Sequence, residues 1–290
     1  MISVIVCSIN PLLLANLKNN IQSSIGIDYE VICVDNRNDK KGISEVYNEA
    51  AKRAKFNILC FVHEDVFIHS NNWGISLLKV LSDEAIGLVG VSGTIYKSNY
   101  PSVWSACDQS FYRSNTIQHF KSEEQPVISI INPFNRAVEE VAVLDGVFLA
   151  TKKSIFDSYF FDEKIFKNFH CYDLDISFNI GTDFRIIVTY DILLEHFSEG
   201  SLNRSWVEDS IKLHEKWNQI LPREIGEIGI VQKEKSDCIS CQNILGQVLK
   251  FSFSKRIILK YYFKLILKYR KYNHFNYTKT VLKRLLKFSY

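Results

Sequence analysis

Three polar stops, each closing an apolar run, carry the side chains best suited to chemistry: Ser8 and Asn10 at the end of 1–9, Asp35 and Asn36 after 29–34, and His63-Glu64-Asp65 after 56–62. A single such stop is a turn, but three adjacent ones can line one crevice beyond the carboxyl ends of parallel strands, where open α/β sheets bind ligands. Asp35 offers acceptors to the neutral donors of a base or ribose, whereas Asp65 suits a metal bridging a pyrophosphate. The chain has no G-x-G-x-x-G and no P-loop, so the crevice does not hold phosphates on a glycine-rich turn. Neutralisation by a metal is the simplest remaining means. Further on, Tyr172-Asp173-Leu174-Asp175 and Glu195-His196 add two more clusters of the same chemical kind. If the first is helical, Asp173 shares a face with Ile176 and Asp175 points elsewhere, so one carboxylate faces a cleft while the other caps or meets solvent.

The elements needed to position these residues are legible in the spacing. Residues 1–9 and 29–34 are Ile/Val-rich strands, 12–21 and 43–54 have helical periodicity, and the uncharged run 56–62 is a third strand. Alternation of strand and helix over about 65 residues predicts a parallel sheet with right-handed crossovers, a half-Rossmann arrangement that typically holds a nucleotide. Residues 73–81 read as a helix, 85–96 as a glycine-containing strand region, and 138–150 as strand, Asp145-Gly146 break, strand. A further strand over 186–194 ends at Glu195-His196, while 98–125 is irregular and polar-aromatic, as in a loop or lid. Specificity is expected to reside in 98–135.

Composition narrows the class. The 290 residues are 47% hydrophobic and 23% charged, as in a globular protein large enough for a sizeable core. The longest uncharged stretch, 1–17, is interrupted by Ser8, Asn10, Pro11 and Asn16, short of the about 18 apolar residues of a membrane span. The amino terminus has no signal-peptide pattern, and the seven cysteines are scattered, so a reducing, cytoplasmic setting is expected. Cys238-Ile239-Ser240-Cys241 is a single CxxC and lacks the second ligand pair of a structural zinc site.

The net charge of +3 hides an asymmetry: residues 1–237 carry 23 basic against 32 acidic residues, and the remainder 12 basic and none acidic. Over 244–272, Arg256, Lys260, Lys264 and Lys268 recur at four-residue spacing among Ile, Leu, Tyr and Phe, and 280–288 repeats the theme with Lys283, Lys287, Leu282, Leu285 and Leu286. Such helices either lie on an anionic membrane surface or pack as a hairpin on the catalytic domain or on another subunit of a homo-oligomer. Nucleic-acid binding ranks lowest, since it needs an exposed aromatic platform.

In order and spacing, Val4-Ile5-Val6-Cys7-Ser8-Ile9-Asn10, Val34-Asp35-Asn36, Tyr47-Asn48-Glu49-Ala50, Phe61-Val62-His63-Glu64-Asp65-Val66, Asp145-Gly146, Phe161-Asp162-Glu163, Tyr172-Asp173-Leu174-Asp175 and 196–201, followed by Trp206 and Lys216-Trp217, resemble a family-2-type glycosyltransferase. The resemblance covers about 2–218 and is strongest to the branch related to a streptomycin-biosynthesis protein. It implies a GT-A domain over 1–220, with 221–290 a linker and basic helical tail. It further implies a nucleoside-diphosphate-sugar donor, a UDP-sugar favoured, Mn2+ or Mg2+, and an inverting displacement onto a glycan or lipid-linked acceptor. Surface polysaccharide or glycolipid synthesis, on the cytoplasmic membrane face, is the implied setting. By position, Ser8, Asn10, Asp35, Asn36 and His63 correspond to nucleotide contacts and Asp65 and His196 to metal ligands. Asp145, Gly146 and Tyr172 correspond to the donor and acceptor region, and Asp173 to the general base. The family's first metal-site acid is here His63. Two rival readings stay open: a nucleotide-sugar-binding scaffold without catalysis, and a sugar nucleotidyltransferase, which would want a glycine-rich triphosphate loop where Ser8-Ile9-Asn10-Pro11 stands.

Overall fold

The computed structural model describes residues 1–198, 200–272 and 274–287. Glu199 of the 196–201 motif and Phe288 of the tail lie outside the described residues, as do the side chains of Leu285, Leu286 and Lys287. The chain forms two compact units, one of Met1–Ile95 with Tyr112–Ser201, the other of Tyr96–Phe111 with the described residues of Leu202–Tyr290.

The first unit opens with β1 (Ile2–Ser8), α1 (Pro11–Ser24), β2 (Tyr29–Asp35), α2 (Ile43–Arg53) and β3 (Ile58–Val62). There follow β4 (Val66–Ile68), α3 (Trp73–Leu81), β5 (Ile86–Gly90) and β6 (Ser92–Thr94), after which β7 (Tyr96–Lys97) belongs to the second unit. The chain continues with β8 (Tyr112–Gln118), β9 (Val127–Ile131), β10 (Val138–Glu140), β11 (Val143–Leu144) and β12 (Phe148–Lys152). The unit closes with α4 (Lys153–Phe156), α5 (Tyr172–Ile180), β13 (Arg185–Thr189) and β14 (Leu194–His196).

Seven strands form the main sheet in the order β10-β13-β5-β12-β3-β1-β2. The βαβαβ opening is as the spacing predicts: β2, β1 and β3 are parallel, and Ser8 stands beside Asp35 in register. Beyond β3 the sheet is mixed, because β12 inserts antiparallel between β3 and β5, and β10 pairs antiparallel with β13. A second sheet, β11-β6-β8-β14-β4 with β9 on β8, occupies part of the stretch whose sequence pattern is that of a loop. The pattern hides β8 because its buried residues, Arg113, Ser114, Asn115 and Thr116, are polar, with Ser114 bonded to Ser92 and Asn115 to the carbonyls of Tyr190 and Ile192.

Both faces of the main sheet are covered, which is why its strands read as continuous apolar runs. Ile2, Val4 and Val6 of β1 and Cys60 and Val62 of β3 face α1 and α3, whereas Ile5, Leu59 and Phe61 face α2 and α5. Helix α1 is started by Asn10, whose side chain accepts from the backbone N–H of Leu12 (3.0 Å) and Leu13 (3.4 Å), with Pro11 at the first helical position.

The second unit contains β7, α6 (Arg204–Lys216), β15 (Arg223–Glu224), α7 (Ile230–Lys250), α8 (Lys255–Lys268) and α9 (Phe275–Lys287). Ile258, Tyr261 and Leu265 of α8 are buried against Cys238, Cys241, Ile244, Leu245 and Val248 of α7. Much of the apolar face that an interfacial helix would lay on lipid is therefore spent inside this unit, while Arg256, Lys260, Lys264 and Lys268 remain exposed. No described helix is long and apolar enough to cross a membrane. None of the seven cysteines forms a disulfide, and burial pushes the Cys238 and Cys241 thiols up to about 11 and about 12, as expected of small core hydrophobes.

Candidate active site

The strand ends deliver the polar stops to one edge of the sheet, but with unequal roles. Glu64, the middle residue of the stop after β3, is buried and acts as a tie: it accepts from the Ser8 hydroxyl at 2.6 Å and from the backbone N–H of Ile9 and Asn10 at 3.1 Å. Glu64, in the link between β3 and β4, thus fixes the loop after β1, while His63 and Asp65 on either side of it meet His196. Ser8 and Asn10, expected to meet a nucleoside, spend their side chains on this tie and on the α1 cap. Asn36 is likewise engaged, accepting from the Lys41 N–H and donating to the Lys41 carbonyl, both at 2.9 Å. Asp35 is exposed, and the Arg37 guanidinium beside it holds its carboxyl down at about 2. Two carboxylate oxygens have more acceptor sites than Arg37 uses, so Asp35 still has room for a donor hydroxyl.

His63, Asp65 and His196 come together across β3, β4 and β14, with one ligand atom from each lying within 4.8 Å of the others. Register creates this meeting: His196 pairs with Val66 in the antiparallel β4–β14 ladder, and the Phe197 N–H donates to the Asp65 carbonyl at 3.0 Å. Gln118, at the end of β8, then decides the tautomer of His196. Its amide nitrogen donates to the carbonyls of His119 (2.9 Å) and Ser198 (2.6 Å), so its oxygen faces His196 Nδ1 at 3.0 Å and accepts a proton from it. In the neutral ring Nε2 consequently turns a lone pair toward Asp65 Oδ1, 3.5 Å away. Nε2 is buried and has no hydrogen-bond partner among the described residues.

A similar argument fixes His63. The Tyr172 hydroxyl donates to the Gly146 carbonyl at 3.0 Å, so at its 2.8 Å contact with His63 it accepts from Nε2–H, leaving Nδ1 unprotonated. Burial, reinforced by His196, lowers the His63 pKa and keeps the ring neutral. For Asp65, burial raises the carboxyl, but His196, the Ser198 hydroxyl and His63 outweigh it and hold the group well below the usual range. One carboxylate and two imidazoles form a donor set that fits a divalent cation.

Asp173 lies on the other side of Tyr172. It occupies the first turn of α5, whose preceding residue, Cys171, has φ +63°, a left-handed conformation unusual for a non-glycine residue. Burial, and then the charge of Asp145, push the Asp173 carboxyl up to about 7, against backbone N–H groups of Leu174, Asp173 and Gly146 that favour the anion. Gly146 is demanded by closeness: a Cβ there would sit 2.2 Å from Tyr172 Oη and 3.0 Å from Asp173 Cβ. Asp145 accepts from the Val147 N–H at 2.9 Å, forming the turn that presents Gly146. Asp175, which the helical spacing left capping or solvated, is 1% exposed and sits in the core.

Sequence reasoning thus collected Asp65, His63, His196, Tyr172, Gly146 and Asp173, which the structure brings together. It missed Glu64 and Gln118 as positioning residues. Glu64 lies in the link between β3 and β4 and Gln118 in a stretch without apolar periodicity, so neither role had a signal in the spacing.

The sequence model of a family described as "Glycosyltransferase like family" matches residues 3–219. No curated protein matches by sequence. Among solved structures, the crystal structure of GalNAc-T7 with UDP, GalNAc and Mn2+ is similar at 12% identity and a TM-score of 0.53, over 75% of this chain and 48% of that one. This chain therefore spans about half the length of that relative. The structure of S. aureus TarS 1–349 is similar at 14% identity and a TM-score of 0.48, over 93% and 89% of the two chains. The mannosyltransferase PcManGT from Pyrobaculum calidifontis, in complex with GDP-Man and Mn2+, is similar at 13% identity and a TM-score of 0.48, over 98% and 84%.

Proposed function

Because the chain belongs to the glycosyltransferase like family, we propose that residues 1–220 transfer a hexosyl group from a nucleoside-diphosphate sugar to a hydroxyl acceptor with inversion at the anomeric carbon. One observation carries the reading: Tyr172 joins two halves of such a reaction, its hydroxyl bonded to His63 of the His63–Asp65–His196 cluster and its backbone carrying Asp173 as the next residue. A UDP-sugar is the favoured donor and a glycan or lipid-linked hydroxyl the acceptor.

Asp173 takes the proton of the acceptor hydroxyl as that oxygen attacks the anomeric carbon. A carboxyl tuned to about 7 is ionised in a useful fraction at neutral pH and basic enough to gain from the transfer, a contribution of about 10²- to 10⁴-fold. Gly146 lets Tyr172 and Asp173 pack directly against the turn after Asp145, and Tyr172 holds its own ring and His63 in place. Asp35 receives ribose or base donors, while Glu64 keeps the loop of Ser8 and Asn10 from shifting under the nucleotide. His63, Asp65 and His196 would hold a divalent cation, Mn2+ or Mg2+, which when bound neutralises charge growing on the leaving diphosphate. The two imidazoles favour Mn2+, since Mg2+ prefers oxygen ligands. Mn2+ in the GalNAc-T7 structure supports that choice.

The test is calorimetric binding of a panel of nucleoside diphosphates and nucleotide sugars, with and without Mn2+, to wild type and Asp65→Ala. Metal-dependent binding of one nucleotide, lost in the variant, is expected. Absence of binding to every member under both conditions overturns the proposal, and donor binding without transfer to any acceptor identifies a scaffold.

A further inference from the structure

Strand β9, made of Val127, Ile128, Ser129, Ile130 and Ile131, is an edge of the second sheet and pairs with β8 alone among the described strands. That pairing leaves part of its backbone facing out. The Asn115 N–H of β8 donates to the Val91 carbonyl at 2.8 Å and the His119 N–H beyond it to the His196 carbonyl at 3.0 Å, so the odd-numbered residues here point away from β9. Asn115 opposite Ile130 and Ile117 opposite Ile128 are therefore the non-hydrogen-bonded pairs of the antiparallel ladder, which turns the N–H and C=O of both isoleucines outward. The same two side chains are exposed, Ile128 at 69% and Ile130 at 53%.

Edges of this kind invite a further strand and are ordinarily blunted by charge, proline or shortness. The other edges of the two larger sheets follow that rule: β2 carries Glu30 and Asp35, β10 carries Glu139 and Glu140, and β4 and β11 have only three and two residues. Strand β9 has neither charge nor proline. Charge flanks it instead. Glu123 and Glu124 outweigh Lys121 on the side before the strand and Arg136 follows it, all of them exposed and in no ion pair among the described residues.

We propose that β9 is the contact strand of a homodimer, pairing antiparallel with β9 of a second copy of this chain about a two-fold axis at Ser129. A two-fold contact requires a self-complementary surface, and β9 reads as two apolar residues, serine and two apolar residues in either direction. In this register Ile128 stands opposite Ile130 of the second copy, the outward N–H of each donates to the outward carbonyl of the other, and Val127 meets Ile131. Antiparallel pairing also brings the acidic flank of each copy to the Arg136 side of the other, whereas parallel pairing sets acid against acid. Because the same patch serves both chains, the contact closes at two. It is independent of the donor reading, since it uses none of the residues around Asp65.

The test is sedimentation equilibrium of the full chain over roughly 1–100 µM, where a reversible equilibrium between the 33.6 kDa monomer and its dimer is expected. Ile130→Pro removes an outward N–H, a change that an edge strand tolerates in the monomer, and should raise the dissociation constant at least about tenfold. Glu123→Lys/Glu124→Lys should weaken the dimer as well, and adding Arg136→Glu to that variant should restore it, since the two flanks then exchange signs. In Ser129→Cys the two thiols stand opposite each other across a non-hydrogen-bonded pair with Cα atoms about 4.5 Å apart, so mild oxidation should link two chains in this variant and not in wild type. A wild type that stays monomeric over the whole range overturns the proposal, as do assemblies that grow beyond two chains. A dimer that survives Ile130→Pro and that Ser129→Cys does not link uses another face and overturns it too. Thermal melts establish folding of each variant, and should Ile130→Pro not fold, the charge exchange and the Ser129→Cys link still decide.

Discussion

At the residue scale, the defining property of the site is that hydrogen bonds fix which atoms can accept. Asp173 makes this measurable. Its carboxyl is raised from about 3.9 in an unfolded chain to about 7, so the folded state binds that proton more tightly than the unfolded one. The stabilisation is fully present below about pH 4, falls as pH rises and is lost above about pH 7. Asp173→Asn should therefore melt several degrees above wild type at pH 8 and level with it at pH 4. The same change should lower kcat by about 10²- to 10⁴-fold, and the wild-type rate should rise with pH through about 7, reporting ionisation of the base. A flat pH profile together with an active Asp173→Asn would assign the base elsewhere. Gln118 gives a second prediction. Replacing it with Leu frees the tautomer of His196, and Mn2+ affinity measured by calorimetry should fall by about 10- to 100-fold. Unchanged affinity would remove Gln118 from the positioning of His196.

At the element scale, the site depends on how two strand ends are tied together. Glu64 at the end of β3 collects the Ser8 hydroxyl and two backbone N–H groups from the loop between β1 and α1. Glu64→Ala strands these donors in a buried place, at a cost of about 2–4 kcal/mol, so the melting temperature should fall by roughly 5–15 °C. Nucleotide affinity should weaken with it, as the loop loses its anchor. Glu64→Gln, which retains one carbonyl oxygen, should fall between. The tie also explains why β1, α1 and β3 were the most legible part of the chain: uninterrupted apolar strands, an Asn-Pro helix start and a polar stop all agree. The stretch containing β8 shows the opposite case. Its buried residues are polar, and pairing with β6, β9 and β14 makes it a strand.

At the scale of the whole molecule, charge and binding couple to stability. A cation that binds only the folded site adds RT ln(1 + [L]/Kd), about 2.7 kcal/mol at a hundredfold excess over Kd. Saturating Mn2+ should thus raise the transition of the unit containing His63, Asp65 and His196 by roughly 5–10 °C, and His196→Ala should abolish the shift. An equal shift in the variant would point to Mn2+ bound elsewhere. The acid-free C-terminal segment supplies the second centre of charge, and its helices bury their apolar faces against one another.

Residue order alone was enough for the βαβαβ opening, the α/β GT-A class and most of the residues that meet at the site, because strand periodicity and polar stops are local signals. The separation of charge at Asp237 is equally local. Which polar groups face the cleft and which hold the scaffold emerged with the folded chain: Ser8, Asn10 and Asn36 are engaged in ties, and Tyr172 became the link between His63 and Gly146. Folding also placed Tyr96–Phe111 in the C-terminal unit and inserted β12 antiparallel into the sheet. The Ser8–Glu64 tie, the Tyr172 link and the strand pairing depend on partners tens of residues away, so no short window of the sequence contains the information that selects them.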